Sequence, residues 1–323
     1  MAIVNLESFD SLKDPWERIH ADTRTKLLFS SAEWSALWWS HFAADNGLCL
    51  ISIKEENKVI GIAPLRSQNN ILHFIGSDNV CDFLDFIIEE GKEESFFTSL
   101  LDHLSSTNIK GLDLSPLLPE STVLLYFRQM ATDKGWDVSC EQTDVIVAAD
   151  LPDTLEKYIA SLSGKQRHEL LRKERRLNEE GDVKFRIETR ASREDVATFL
   201  HFFQESRSDK KSFLTPEIES FFKAAISSMS DRNKLGLGVL EINSLPAAVT
   251  LCFDYQNDTY LYNSGYDPSY RWLSVGLLSK YFCIKDSIAK NKRRFDFLKG
   301  DEQYKYHLGG TATPVYRCII NNH

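Results

Sequence analysis

Between positions 296 and 306 the chain gathers the side chains of acid–base chemistry. Asp296, Lys299, Asp301, Glu302, Tyr304, Lys305 and Tyr306 fall within one short stretch. A carboxylate takes a proton from an attacking nucleophile, and a phenol returns one to a leaving group. Asp301 and Glu302 are therefore candidate bases, and Tyr304 and Tyr306 candidate acids. Lysines in such a loop can steady a phosphate or a developing oxyanion, which makes Lys299 and Lys305 candidates for substrate binding. Strand-edge hydrogen bonding by Asp296 and packing by the tyrosines are the competing structural explanations.

Two further groups suit anions. Arg271, Ser274 and Gly276 are spaced R-x-x-S-x-G. Small residues at a helix start leave backbone N–H groups accessible at the positive end of the helix dipole. An ordinary capped helix would show the same spacing. Residues 165–181 read KQRHELLRKERRLNEEG, with Lys165, Arg167, His168, Arg172, Lys173, Arg175 and Arg176 around a thin apolar stripe of Leu170, Leu171 and Leu177. Such a helix either faces a phosphate-bearing ligand or is a solvated surface balanced by Glu169, Glu174, Glu179 and Glu180. Asp78, Asp82 and Asp85 alternate with apolar residues as at a strand edge, so a structural or substrate-hydrogen-bonding role is expected ahead of metal binding. His20, His41, His73, His103, His201 and His307 show no metal spacing, and no G-x-S-x-G, Walker loop or Cys–His pair stands out.

The elements that must position these residues follow from periodicity. Residues 259–265 alternate as a strand, 266–268 break it as a turn, and Ser274 can cap a helix. Val275, Leu277, Leu278, Tyr281, Phe282, Ile284 and Ile288 give that helix its apolar spacing, and the basic run 290–294 suits its C-terminus. Residues 294–298 form the next strand and end in a loop at Gly300. Upstream, 235–242 and 246–253 pair around a turn at Asn243 and Ser244. The first half offers the same order: strands 48–53 and 59–65 around a turn at Glu55, Glu56 and Asn57, then strand 71–75, helix 96–104 and strand 110–114. A helix over 31–43 should bury Trp34, Trp38 and Trp39, residues 122–132 should be helical, and 136–147 should carry strand pairs. The repeated order implies two domains, 1–150 and 151–323, joined near Leu151 to Asp153.

Composition limits the partners. The chain has 323 residues, 42% hydrophobic and 11% aromatic, enough for well-filled cores. A formal charge of −9 argues against DNA. Six cysteines lie far apart without CxxC, so buried free thiols are expected rather than disulfides or a metal site. No basic segment precedes an apolar leader, and no apolar run reaches membrane-spanning length, so a soluble cytoplasmic protein is expected.

A longer pattern is more specific. N-S-G-Y-D-P at 263–268, R-x-L-S-x-G-L-L at 271–278 and D-F-L-K-G-D-E-x-Y-K-Y-x-L-G at 296–309 resemble the C-terminal half of the CelD-type, or FemAB-like, acetyltransferases, which are similar to tandem GNAT domains. R-x-x-S-x-G resembles the Q/R-x-x-G-x-G/A loop with which GNAT acyltransferases hold the pyrophosphate of coenzyme A; Ser274 stands where that loop has its first glycine. The basic block 165–177 resembles a recurrent block of the same group, and weaker likeness reaches back to about position 29.

The resemblance implies an α/β fold of two tandem GNAT-like domains, each a mixed central sheet flanked by helices. It implies acyl transfer from acetyl-CoA or another acyl-CoA to an amine, without a metal. Arg271, Ser274, Val275 and Gly276 would bind the cofactor. Asp301, Glu302, Tyr304 and Tyr306 would be catalytic, and Arg167, Arg172, Asn263, Tyr266, Lys299 and Lys305 would contact substrate. The acceptor would be a small molecule, a polysaccharide or a cell-wall precursor. Two alternatives remain: aminoacyl transfer from tRNA to a cell-wall precursor, as in FemAB proteins, and a non-catalytic binding protein that kept the fold.

Overall fold

The computed structural model describes residues 2–22, 27–43, 47–206 and 212–322. The chain forms two compact units: Met1–Val145 with Thr313–His323, and Ile146–Ala312. The division falls within a strand rather than at 150/151, and the last residues return to the first unit.

The first unit runs β1 (Ile3–Leu6), α1 (Phe9–Asp22), α2 (Ala32–Phe42), β2 (Gly47–Glu55), β3 (Lys58–Gln68), β4 (Ile71–Phe74), β5 (Ile87–Ile88), α3 (Glu93–Ser105), β6 (Gly111–Leu117), α4 (Arg128–Asp133) and the first part of β7 (Asp137–Asp150). The second holds the rest of β7, α5 (Leu155–Ser161), α6 (Gly164–Asn178), β8 (Val183–Glu188), α7 (Arg193–Ser206), α8 (Pro216–Asp231), β9 (Leu235–Ile242), β10 (Leu245–Tyr255), β11 (Asp258–Tyr266), α9 (Val275–Ala289), β12 (Arg294–Lys299) and α10 (Gln303–His307). The last strand, β13 (Thr311–Asn321), completes the first unit.

In the first unit β1, β2, β3 and β4 are antiparallel neighbours, β6 joins β4 in parallel, and β13 pairs antiparallel with β6. The β2–β3 turn takes positive φ at Glu56 and Asn57 (48° and 66°), the dihedrals of a two-residue hairpin. The Ser31 hydroxyl caps α2 by accepting the Trp34 N–H at 3.3 Å, and Trp34 and Trp38 are buried as the spacing requires. Trp39 is half-buried. Phe86, Phe96, Phe97 and Phe127 stack edge to face beneath the sheet. Asp85 accepts the N–H and hydroxyl of Thr122 at 2.8 and 2.6 Å, and Asp78 accepts the Ser115 hydroxyl at 3.4 Å, so both serve the local fold. Residues 123–127 form a π-helical turn that leads into α4.

Two expectations change here. The strand pairs expected over 136–147 are one long strand, β7, because no turn residue interrupts the run. Cys140 and Cys318 form a disulfide, while Cys49, Cys81, Cys252 and Cys283 stay free. Spacing along the chain could not show that β7 and β13 bring that pair together.

In the second unit β8, β9, β10 and β11 are antiparallel neighbours, β12 joins β11 in parallel, and β12 pairs antiparallel with the end of β7. Phe222 of α8 packs edge-on against Tyr262 at 5.8 Å, and Tyr262 lies 5.0 Å from Phe253, so α7 and α8 cover one face. On the other face Thr250 Oγ1 sits 3.0 Å from Cys283 Sγ of α9. Each unit thus repeats hairpin, third strand, helix and parallel fourth strand. Among the described residues, no helix is long and apolar enough to cross a membrane.

Candidate active site

The site begins where β11 leaves its neighbour. Tyr260 opposite Asp296 is the last aligned pair of β11 and β12; residues 261–266 continue along β10, while Lys299 lies opposite Ile146 of β7. A wedge therefore opens between two parallel strands, and Asn263, half-buried, lies on its β11 side. The 3-10 turn Pro268–Leu273 then leads to Ser274, which adopts the left-handed conformation with φ 59° and ψ 32°.

Ser274 occupies the N-cap of α9, but its side chain does not cap the helix. Capping requires extended dihedrals, and Ser274 has turned out of that region. Its carbonyl accepts the N–H groups of Leu277 and Leu278, both at 3.0 Å. The N–H groups of Val275 and Gly276 belong to the first turn, where a helix supplies no acceptor. Gly276 answers a packing demand: a Cβ there would lie 2.9 Å from the Tyr266 ring. Tyr266 is therefore a wall of the helix start. Arg271 is exposed just before it.

The loop after β12 is locked from inside. Gly300 has φ 111°, and a Cβ there would lie 2.6 Å from the Glu302 carboxylate. Lys305, 1% exposed, donates to the carbonyls of Leu298, Lys299 and Gly300 at 2.8, 2.7 and 3.0 Å, with Glu302 Oε2 at 3.0 Å. An ammonium has three N–H donors. Lys305 thus fastens the strand end, and substrate binding by it is not what the geometry provides. Asp296, also buried, accepts the Leu298 N–H at 2.8 Å and steadies the same bend. Lys299 is half-buried at the end of β12. Tyr306 donates its hydroxyl proton to Asp301, and that bond raises the phenol's pKa. Tyr304 meets Phe297 edge-on at 6.2 Å, and Lys280 Nζ stands 4.9 Å over its ring.

A cavity of about 700 Å³ lies between α6, the first turn of α9 and the end of α10. Lys165, His168, Glu169 and Lys173 of α6, Leu277 in the first turn of α9 and His307 at the end of α10 are among the residues that line it. Ser163 and Gln166 form a capping box at the start of α6, and Gln166 Nε2 donates to the Tyr306 carbonyl at 2.7 Å, tying α6 to α10. Arg167 and Arg172 are not among the lining residues. Arg167 projects from the opposite side of α6 at 100° per residue. Arg172 binds Glu169 through two bonds of 2.9 and 2.8 Å, which hold the Glu169 carboxyl down at about 2. Arg176 stacks 4.9 Å from the ring of Trp272, inside the R-x-x-S-x-G stretch. Lys280 escaped sequence reasoning, although one lysine in the apolar run LLSKYFCI was its signal.

Residues 164–306 match the acetyltransferase (GNAT) domain family, a segment that contains α6, the wedge, α9 and most of α10. In three dimensions the chain is similar to FemX, with TM-score 0.67 at 10% identity over 98% of this chain and 96% of that one. It is also similar to the C-terminal domain of a putative lysylphosphatidylglycerol synthetase from Agrobacterium fabrum, with TM-score 0.59 at 10% identity over 97% and 92%. A tandem GNAT protein from the clavulanic acid biosynthesis pathway gives TM-score 0.55 at 10% identity over 100% and 99%. No curated protein matches the chain by sequence. The fold is shared with FemX and the tandem GNAT protein, and most of the second unit matches the acetyltransferase (GNAT) domain.

Proposed function

We propose that the protein transfers an acyl group from a coenzyme A thioester to an amine. The observation that carries this reading is that α6 packs against the turn and helix start that hold Arg271 and Gly276, and that Gln166 ties it to α10. Arg271 and the N–H groups of Val275 and Gly276, reached past the left-handed Ser274, hold the pyrophosphate. Backbone N–H groups of β11 near Asn263 polarise the thioester carbonyl. Asp301 takes the proton from the amine as its nitrogen bonds to the carbonyl carbon. Tyr306 protonates the sulfur as the C–S bond breaks, and its raised pKa keeps it in the acid form. Glu302 and Lys305 hold this loop in shape, and Tyr304 packs behind it.

A second reading is aminoacyl transfer from tRNA to a cell-wall precursor, as in FemAB proteins. The likeness to FemX over nearly the whole chain and the basic α6 favour it. One experiment separates the two. The protein is incubated with acetyl-CoA and a panel of amine acceptors while free thiol is followed; a parallel arm supplies aminoacyl-tRNA and a cell-wall precursor. Acceptor-dependent thiol release is expected in the first arm. Product in the second arm alone would replace the first reading with the second, and no product in either would contradict both.

A further inference from the structure

α9 buries one side chain that its apolar surroundings do not call for. Lys280 is 6% exposed, between Leu278, Tyr281, Cys283 and Ile284, all buried on the same helix. Burying an ammonium is costly, and an apolar side chain of similar length would fill the space. Its Nζ donates to the Gly276 carbonyl at 2.6 Å and lies 4.9 Å from the centre of the Tyr304 ring. Gly276 belongs to the first turn of α9, and Tyr304 to α10. One buried cation therefore links the helix start to the loop that carries Asp301 and Tyr306.

The titratable groups with the largest influence on it, among the described residues, come from three elements. Cys283 faces it from α9, Cys252 from β10, and Glu302, Tyr304 and Lys305 from α10 and its N-cap. Glu302 is already paired with Lys305. The positive charge of Lys280 therefore adds to the positive end of the α9 dipole from within.

We infer that Lys280 is a positioning residue of the acyl-CoA site: its ammonium fixes the first turn of α9 against Tyr304 and places a buried positive charge beneath the N–H groups that receive the pyrophosphate. This rests on the acyl-CoA reading above. Burial lowers the ammonium's pKa to about 8, against smaller raising effects of Cys283, Cys252 and Glu302. The charge is thus present below about 8 and lost above it, and anion affinity falls as pH rises through that value.

The test is calorimetric titration of the full chain with acetyl-CoA, whose blocked thiol does not ionise and whose phosphates are already fully charged above about pH 7.5. Wild-type affinity should fall about tenfold between roughly pH 7 and 9.5, the scale of one buried charge near an anion. Lys280→Arg should keep the affinity and lose the pH response, because a guanidinium does not titrate there. Lys280→Met should bind about tenfold more weakly at pH 7, without pH response. Its melting temperature at pH 7 should be no lower than wild type, because it no longer buries a charge. Lys280→Met that matches wild type in affinity and pH response overturns the inference. So does a weakened Lys280→Met with a sharply lowered melting temperature, which would make Lys280 a structural pin only. Wild type that fails to bind acetyl-CoA at any pH overturns the acyl-CoA reading and this inference with it.

Discussion

Ser274 shows how much one residue type conceals. Read as a sequence, it was a small residue that could cap a helix; in the structure it is the left-handed hinge into α9. A side chain in that conformation costs roughly 1–2 kcal/mol, which glycine avoids at the expense of about 0.5–1 kcal/mol of extra chain entropy. Ser274→Gly should therefore raise unfolding stability by about 0.5–1 kcal/mol in urea titration and leave acetyl-CoA affinity unchanged within about twofold. A destabilised variant would mean that the Ser274 hydroxyl has a role the geometry does not show. R-x-x-S-x-G was legible because it is local. Lys305 and Lys280 were not: whether a lysine meets solvent, a phosphate or three backbone carbonyls depends on segments the sequence does not place beside it.

The elements were easier to read than their roles. Both hairpins, the third strand of each unit and the helix that follows fall where alternation and helical spacing put them, because each is fixed by its own buried face. The role of α6 stayed open in the sequence, since a basic helix with interspersed glutamates suits water as well as phosphate. Lys165, His168, Glu169 and Lys173 line the cavity, and the proposed reading makes that face the ligand side. Acetyl-CoA affinity should fall about three- to tenfold as salt rises from roughly 50 to 300 mM, because exposed charges are screened over about 10 Å. Lys165→Glu combined with Lys173→Glu should weaken binding and flatten that dependence, while Arg167→Glu, on the opposite side of the helix, should leave it as in wild type. Equal effects of the two variants would mean that α6 acts through its overall charge and not through its cavity face.

At the scale of the molecule, the repeated order of hairpin, third strand, helix and fourth strand is legible in the sequence, while the parallel pairing of the fourth strand is not. Nor are the return of β13 to the first unit and the Cys140–Cys318 disulfide. Both depend on pairing between segments far apart in the chain, which periodicity does not encode. What the two-unit architecture provides for function is a second unit whose parallel strands separate at the start of α9, with α6 and α10 closing a cavity beside it. On the acyl-CoA reading proposed above, the donor's pyrophosphate would meet Arg271, which is exposed just before α9.

The most direct measurement is calorimetric titration of acetyl-CoA into the wild-type protein and into Arg271→Ala. Wild type should bind saturably at one to one, and Arg271→Ala should lose about 1–3 kcal/mol, the scale of hydrogen bonds to a charged group, with both proteins melting alike. The absence of saturable heat with wild type, or an affinity left unchanged by Arg271→Ala, would contradict the acyl-CoA reading.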